Sequence, residues 1–162
     1  GTVAWVRAPN RLETSGEIKV AIGHHPARRD MMAAVETGGK PATTRYEVIA
    51  ATDTAQWVRL WPHTGRTHQL RVHLAHFDAP ILGDRLYGDD RKPANRLMLH
   101  ALRITLPAGE GFPARAFLAP VPTDLVAPAD GWPPQLGAGA WPGRRPDRSA
   151  TIARQRRGWS PR

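Results

Sequence analysis

Alternating apolar and polar residues mark the clearest strands of this 162-residue chain. Residues 43–51 (TTRYEVIAA) and 56–61 (QWVRLW) alternate and are rich in β-branched and aromatic side chains, which is typical of half-buried strands. Only residues 52–55 separate them, so the two runs predict a β-hairpin. Residues 2–7 (TVAWVR) predict a further strand, and the chain begins inside it.

A helical period replaces this alternation between residues 68 and 77. Leu70, Leu74 and Phe77 are spaced as i, i+4 and i+7, which places them on one face of a helix that ends before Pro80. Residues 97–106 and 114–118 then predict two more strands, separated by a glycine-rich turn. We therefore predict an α+β fold in which helices flank a mixed or antiparallel sheet.

The composition changes after Pro120, where Pro, Gly, Ala and Arg dominate. Roughly the last 25 to 30 residues have too few apolar side chains to offset the entropy of ordering, so we predict that they are disordered. The chain is accordingly divided into a folded unit, residues 1–127, and a basic tail, residues 128–162. The tail is either an arm that binds RNA or an extension that only adds solubility.

The net charge of +9 and the pI near 11.3 indicate an anionic partner, of which nucleic acid is the commonest. The charge is unevenly distributed, however. Residues 141–162 hold seven arginines and one aspartate, which account for six of the nine positive charges and leave +3 for the remainder. Net charge alone is therefore a weak argument for RNA binding by the folded unit.

Several functional classes are excluded by what the sequence lacks. The absence of cysteine excludes a disulfide scaffold, a thiolate metal site and a cysteine nucleophile, and it fits the reducing cytoplasm in which we expect the protein. No apolar run approaches the length that spans a membrane. His73 and His76 are spaced as i, i+3, but no carboxylate completes a ligand pattern, so we predict no metal site.

The densest group of hydrogen-bond donors lies at residues 66–73, where a strand and a turn lead into the predicted helix. Arg66, His68, Gln69, Arg71 and His73 fall within these eight positions. Such a group is suited to binding a phosphate chain or to holding a carboxylate. From the helix alone, the simpler interpretation of Arg71 is an ordinary surface arginine.

Short sequence blocks in a fixed order point to a family. They are GEI (16–18), HP (25–26) with Arg29 and Met32, GKPAT (39–43) with Tyr46, TGRTHQLRVH (64–73), PILGD (80–84) with Tyr87 and Gly88, RL (96–97) with LHA (99–101), and AP (119–120). In this order they resemble the RluA-like family of pseudouridine synthases over about residues 16–127. The block at 64–73 is the most specific and resembles the family signature nearly letter for letter.

This resemblance implies a fold and a reaction. It implies a pseudouridine-synthase fold and the isomerisation of uridine to pseudouridine in ribosomal or transfer RNA, with no cofactor. In the family an aspartate attacks, the glycosidic bond breaks, and the uracil turns and rejoins through carbon; the target base must first leave its stack. An arginine of the signature helix pairs with that aspartate, and Arg71 occupies its position. A rigid guanidinium fork can keep a partly buried carboxylate ionised and oriented.

Two further elements of the family pattern are not found in this sequence. The nucleophile motif, Arg-Leu-Asp-x-x-Thr-Ser-Gly, belongs upstream of the segment that starts at Gly16, so we expect a catalytic domain that is incomplete at its N-terminus. The family's active-site tyrosine would fall near Thr2. Residues 11–16 (RLETSG) resemble the motif with two residues deleted and Glu13 in place of aspartate, but we favour a polar linker. Asp84, after Gly83, is expected to form a turn.

Eight residues are candidates for RNA contacts, and each has an ordinary structural alternative. They are Arg28, Arg29, Lys40, Arg66, Thr67, His68, Gln69 and His73. The alternatives are a polar helix start and solvated charges. A second hypothesis is a non-catalytic RNA- or ribosome-binding protein that kept the fold. A third is a protein-interaction domain without RNA contact. The sequence does not define the oligomeric state.

Overall fold

The computed structural model describes residues 1–7, 12–88 and 94–126. Within them the strands are β1 (Thr2–Val6), β2 (Ser15–Lys19), β3 (Ile22–His24), β4 (Met32–Ala34), β5 (Thr43–Ala51), β6 (Gln56–Pro62), β7 (Leu99–Ala101), β8 (Arg103–Leu106) and β9 (Arg115–Leu118). The helices are α1 (Gln69–His76) and α2 (Thr123–Val126). The tail predicted for residues 128–162 lies outside the described residues. No helix in the described ranges combines the length and apolar character needed to cross a membrane.

A five-stranded antiparallel sheet forms the centre of the fold, with the strand order β2-β5-β6-β1-β7. The predicted hairpin is confirmed as β5 and β6. Its turn is held by Thr52, whose backbone N–H donates to Ala55 O (2.8 Å) and whose Oγ1 accepts from Ala55 N (3.1 Å). The first strand is internal to the sheet, because it pairs with β6 on one side and with β7 on the other.

The main core lies against this sheet and is rich in tryptophan. The rings of Trp5 and Trp57 are 5.0 Å apart, and both side chains are buried. The indole N–H of Trp5 donates to Leu125 O (2.8 Å), which fastens α2 to β1. Two such rings bury a large apolar area while the polar edge of Trp5 stays hydrogen-bonded, as burial of indole requires.

Helix α1 packs through the face that its sequence period predicts. Leu74 is fully buried, and Leu70 and Phe77 pack against the main core. The helix begins after His68, which has a left-handed backbone with φ 55°. This conformation is unusual for a residue with a side chain, so contacts elsewhere must hold it.

The single strand predicted for residues 97–106 is wrong, because the chain divides into two strands there. β7 belongs to the main sheet, whereas β8 pairs with β9 in a separate two-stranded sheet. The break occurs where the backbone N–H groups of Leu102 and Arg103 both donate to Gly1 O (3.1 and 3.0 Å). This double contact with the start of the chain is long-range and leaves no local signal in the sequence. The predicted α+β class, with an antiparallel sheet and few helices, is confirmed.

Candidate functional site

A cleft of about 430 Å³ opens beside the turn that precedes α1. Five of the eight candidate RNA contacts line it, together with the β3–β4 segment: Arg29, Lys40, Arg66, Thr67 and His68. Asp30 and His24 also contribute to its wall. We refer to this feature as the basic cleft, since Arg29, Lys40 and Arg66 bring cations from three separate parts of the chain to one cavity.

Arg28 lies next to the basic cleft without lining it. Its guanidinium donates to both carboxylate oxygens of Asp30, through Nε (3.3 Å) and Nη2 (2.8 Å), and both side chains are exposed. The preceding turn is closed by His25, whose Nδ1 accepts from the backbone N–H groups of Ala27 and Arg28. Arg28 is therefore already paired, and Arg29 is the member of this pair of arginines that reaches the cavity.

Gln69, predicted to contact RNA, is buried and holds the turn together, and it does not line the basic cleft. Its side chain is buried, and its Oε1 accepts from Thr64 Oγ1 (2.7 Å) and from the backbone N–H of Arg66 (3.0 Å). Its Nε2 donates to Thr43 O and to Thr44 Oγ1, both at 3.0 Å. These four bonds satisfy the amide and connect the turn to β5.

His73, likewise predicted to contact RNA, is fully buried between α1 and the sheet. Its Nε2 lies 3.0 Å from Val20 O and its Nδ1 lies 2.9 Å from Thr44 Oγ1. A carbonyl can only accept, so Nε2 carries the proton and Nδ1 accepts from the threonine hydroxyl. Burial lowers the pKa of His73 below its ordinary value, which keeps the ring neutral.

Arg71 makes a bidentate ion pair with Asp84. Its Nε lies 2.8 Å from Asp84 Oδ2, and its Nη2 lies 2.7 Å from Asp84 Oδ1. The Arg71 side chain is 18% exposed and the Asp84 side chain is 0% exposed. The geometry is the planar fork-to-carboxylate arrangement that arginine alone provides.

The turn around Asp84 explains why this carboxylate is in place. Gly83 has φ +75°, and Asp84 Oδ1 accepts from the backbone N–H groups of Leu86 (3.0 Å) and Tyr87 (3.1 Å). The predicted turn role of Asp84 is confirmed, but its pairing with Arg71 was missed. A usable signal existed in the Gly-Asp-x-x-Tyr-Gly spacing, which is typical of an aspartate that bonds to its own following amides.

The electrostatics of the pair favour the charged forms. Burial raises the pKa of Asp84, but the hydrogen bonds from Arg71 and from the amides of Tyr87 and Leu86 outweigh it, so the pKa of this carboxyl lies below its ordinary value. The hydrogen bond to Asp84 raises the pKa of Arg71 against the opposing effect of burial. Both groups are therefore ionised at neutral pH.

Tyr87 connects the ion pair to the basic cleft. The Arg71 guanidinium lies 4.9 Å from the centre of the Tyr87 ring, a cation–π distance. The Tyr87 hydroxyl accepts from the backbone N–H of Met32 (2.8 Å) and lies 2.9 Å from His68 Nδ1. Met32 and His68 both line the cleft. In the sequence Tyr87 stands out only as part of a motif, because its partners Met32 and His68 are distant in the chain.

Glu13 occupies a different part of the surface. It is exposed and lines a separate groove of about 350 Å³ with residues of β5 and β6. The backbone of Leu12 is fixed by Gln56, whose side chain accepts from Leu12 N (3.1 Å) and donates to Leu12 O (3.0 Å). Residues 15 and 16 of the RLETSG stretch belong to β2, and residue 11 lies outside the described residues. In the described ranges, three or more His, Cys, Asp or Glu residues do not cluster in a metal-binding arrangement.

Comparisons with known proteins agree on one family. Residues 3–76 match the family model for RNA pseudouridylate synthase. Among curated proteins, ribosomal large subunit pseudouridine synthase D of Neisseria meningitidis is 35% identical over 122 residues, covering 68% of this chain and 33% of the relative. The protein of the same name from Vibrio parahaemolyticus is 35% identical over 134 residues, covering 74% and 41%. The chain thus spans about a third to two-fifths of these relatives.

Two solved human structures show the same fold. Human RNA pseudouridylate synthase domain containing 1 superposes with a TM-score of 0.65 at 32% identity, covering 75% of this chain and 54% of that one. Human RNA pseudouridylate synthase domain containing 4 gives a TM-score of 0.58 at 26% identity, covering 77% and 58%.

Proposed function

Because this chain belongs to the RluA-like family of pseudouridine synthases, we propose that it takes part in the isomerisation of uridine to pseudouridine in RNA. In this proposal it supplies the basic cleft and Arg71, and the nucleophilic aspartate comes from a segment outside these 162 residues. The names of the curated relatives favour ribosomal RNA of the large subunit as the substrate, with transfer RNA as the alternative.

The observation that carries the proposal is the position of Arg71 beside the basic cleft. The cleft gathers three cations that suit an RNA backbone, and Tyr87 joins its wall to the Arg71 guanidinium. Phosphate contacts of this kind fix the register of RNA without reading its sequence. A target uridine taken out of its stack would then lie next to an arginine that can orient a carboxylate.

Arg71 keeps hydrogen-bond donors for a second carboxylate. Asp84 uses its Nε and Nη2 atoms, and in the part of the chain that the structure describes Nη1 makes no hydrogen bond. An arginine carries five N–H donors, so one edge of the guanidinium can stay with Asp84 while Nη1 receives the nucleophile. In this proposal the described groups provide orientation and charge, and the attacking oxygen comes from another segment.

RNA binding and tritium release from labelled uridine test the proposal together. We expect the 162-residue chain to bind structured RNA with an affinity that falls steeply with salt, and to release no tritium by itself. Arg66→Ala should reduce the slope of log affinity against log salt by about 1. Arg115→Ala is the matched control, since it removes one exposed arginine from β9 and should leave the slope unchanged. Tritium release by this chain alone would refute an external nucleophile and make Glu13 the candidate.

The second candidate function is non-catalytic RNA or ribosome binding. One observation favours it: Arg71 is already neutralised by Asp84 inside this chain, so the ion pair is complete without a nucleophile. Two observations distinguish the two functions: the gene sequence upstream of Gly1 and the activity of the full gene product. An in-frame Arg-Leu-Asp-x-x-Thr-Ser-Gly with tritium release supports the enzyme. RNA binding without any release by the full gene product supports the second candidate.

A further inference from the structure

Asp84 holds two groups at once. Its two carboxylate oxygens accept from the Nε and Nη2 atoms of Arg71, and Oδ1 also accepts from the backbone N–H of Tyr87. Its side chain is fully buried, so water cannot replace either partner. An arginine side chain has several rotatable bonds, and a bidentate bond to a fixed carboxylate removes most of that freedom.

Tyr87 links the Arg71–Asp84 ion pair to the basic cleft. Its ring packs against the Arg71 guanidinium, and its hydroxyl accepts from Met32 N and meets His68 Nδ1. The rings of His68 and Tyr87 meet edge to face, with centroids 5.6 Å apart. His68 has a left-handed backbone, which these contacts help to maintain against its cost of about 1–3 kcal/mol.

We propose that Asp84 is a positioning residue, which orients Arg71 for a second carboxylate and, through Tyr87, fixes His68 in the lining of the basic cleft for RNA. This inference rests on the proposed function, because it assumes that the cleft binds RNA. It assigns Asp84 a role beyond its own turn. In this proposal the Tyr87 hydroxyl donates to His68 Nδ1 while its oxygen accepts from Met32 N.

The sign of the change in RNA affinity distinguishes positioning from net charge. Asp84→Asn and Asp124→Asn each remove one negative charge and one bidentate arginine pair, but the Arg96–Asp124 pair is surface-exposed and outside the cleft lining. Net charge alone predicts that both variants bind RNA slightly more tightly. We expect Asp124→Asn to stay within about twofold of wild type. Asp84→Asn should bind about tenfold more weakly, equivalent to one lost bond to a charged group.

A milder variant covers the case in which Asp84→Asn does not fold. Tyr87→Phe removes only the hydroxyl and leaves the Arg71–Asp84 pair intact. We expect it to weaken RNA binding in the same direction and to shift the Nδ1 resonance of His68, which loses its hydrogen-bond donor. Unchanged RNA affinity and unchanged His68 resonances in Tyr87→Phe would overturn the proposed role of Tyr87 in positioning His68.

Nuclear magnetic resonance of the free, ¹⁵N-labelled chain tests the inference without RNA. Asp84→Asn should shift the Nε–H signal of Arg71 and also the backbone amide of Met32, which Asp84 reaches only through Tyr87. Asp124→Asn should move neither signal. If the wild type binds no RNA, the proposed function fails and these signals still decide the positioning role. If the wild type binds RNA and Asp84→Asn binds it as well or better, the inference fails and the proposed function stands.

Discussion

Gly83→Ala should be the most damaging glycine substitution in the turn that presents Asp84. Gly83 has φ +75°, and a Cβ there would overlap the carbonyl oxygen of Arg96 and lie 2.7 Å from its carbonyl carbon. The left-handed backbone costs alanine about 1–2 kcal/mol. Relieving the overlap moves backbone atoms, which adds about 1–3 kcal/mol as overpacking does. We expect the free energy of unfolding to fall by about 2–5 kcal/mol.

Two other glycines separate these contributions. Gly38 has φ +73° but nothing within 4 Å of a new Cβ, so Gly38→Ala should cost only the backbone strain, about 1–2 kcal/mol. Gly65 has neither a left-handed backbone nor a close neighbour, so Gly65→Ala should be neutral or slightly stabilising, by up to about 1 kcal/mol.

Urea unfolding of the three variants compares their unfolding midpoints and hence their free energies of unfolding. With a slope of about 2 kcal/mol per molar urea, the overlap at Gly83 should lower the midpoint by a further ~0.5–1.5 M relative to Gly38→Ala. Equal midpoints for Gly83→Ala and Gly38→Ala, at equal slopes, would refute the steric argument. The Arg96 backbone would then be free to move, and the Asp84 turn would be less rigid than its contacts indicate.

Three further predictions concern the buried polar groups. The pKa of Asp84 is lower in the folded than in the unfolded protein, so the stability that its ionised form contributes is complete above about pH 4 and is lost as the pH falls further. In thermal unfolding, the melting temperature of Asp84→Asn should therefore fall less steeply with decreasing pH than that of wild type. His73→Ala should lower the free energy of unfolding by about 3 kcal/mol or more, because it leaves a cavity and an unpaired Val20 O. The control is His76→Ala, which changes an exposed residue of the same helix and should alter the free energy of unfolding by less than ~0.5 kcal/mol. Thr44→Val should cost about 2 kcal/mol in urea unfolding, and its effect should not add to that of His73→Ala, since the two share a hydrogen bond; simple additivity would contradict that coupling.

Local periodicity predicted most of the central fold. The β5–β6 hairpin, β1 and helix α1 were all found near their expected positions, because the alternation and the Leu70, Leu74 and Phe77 stripe are properties of neighbouring residues. The division of residues 97–106 into β7 and β8 was not predicted, since it depends on bonds to Gly1 O that are about a hundred residues away in sequence.

The candidate site was predicted in location but less well in detail. Arg66, Thr67 and His68 line the basic cleft as a group, because a turn before a helix exposes its polar residues. Gln69 and His73 have equally polar side chains, yet both turn inward, because Thr44 offers each of them a buried partner. A sequence shows that these groups need hydrogen bonds, but it does not show which distant groups supply them.

The internal position of β1 has a consequence for the order of folding. The β5–β6 hairpin joins segments only a few residues apart, whereas Thr2 of β1 must meet Ala101 of β7. Closing so large a loop carries a greater entropic cost than closing the hairpin, so the hairpin is the natural nucleus and β1 is inserted late. Substitutions that weaken the pairing of β1 with β7 should therefore speed unfolding more than they slow refolding. The strength of this pairing then sets the lifetime of the native sheet.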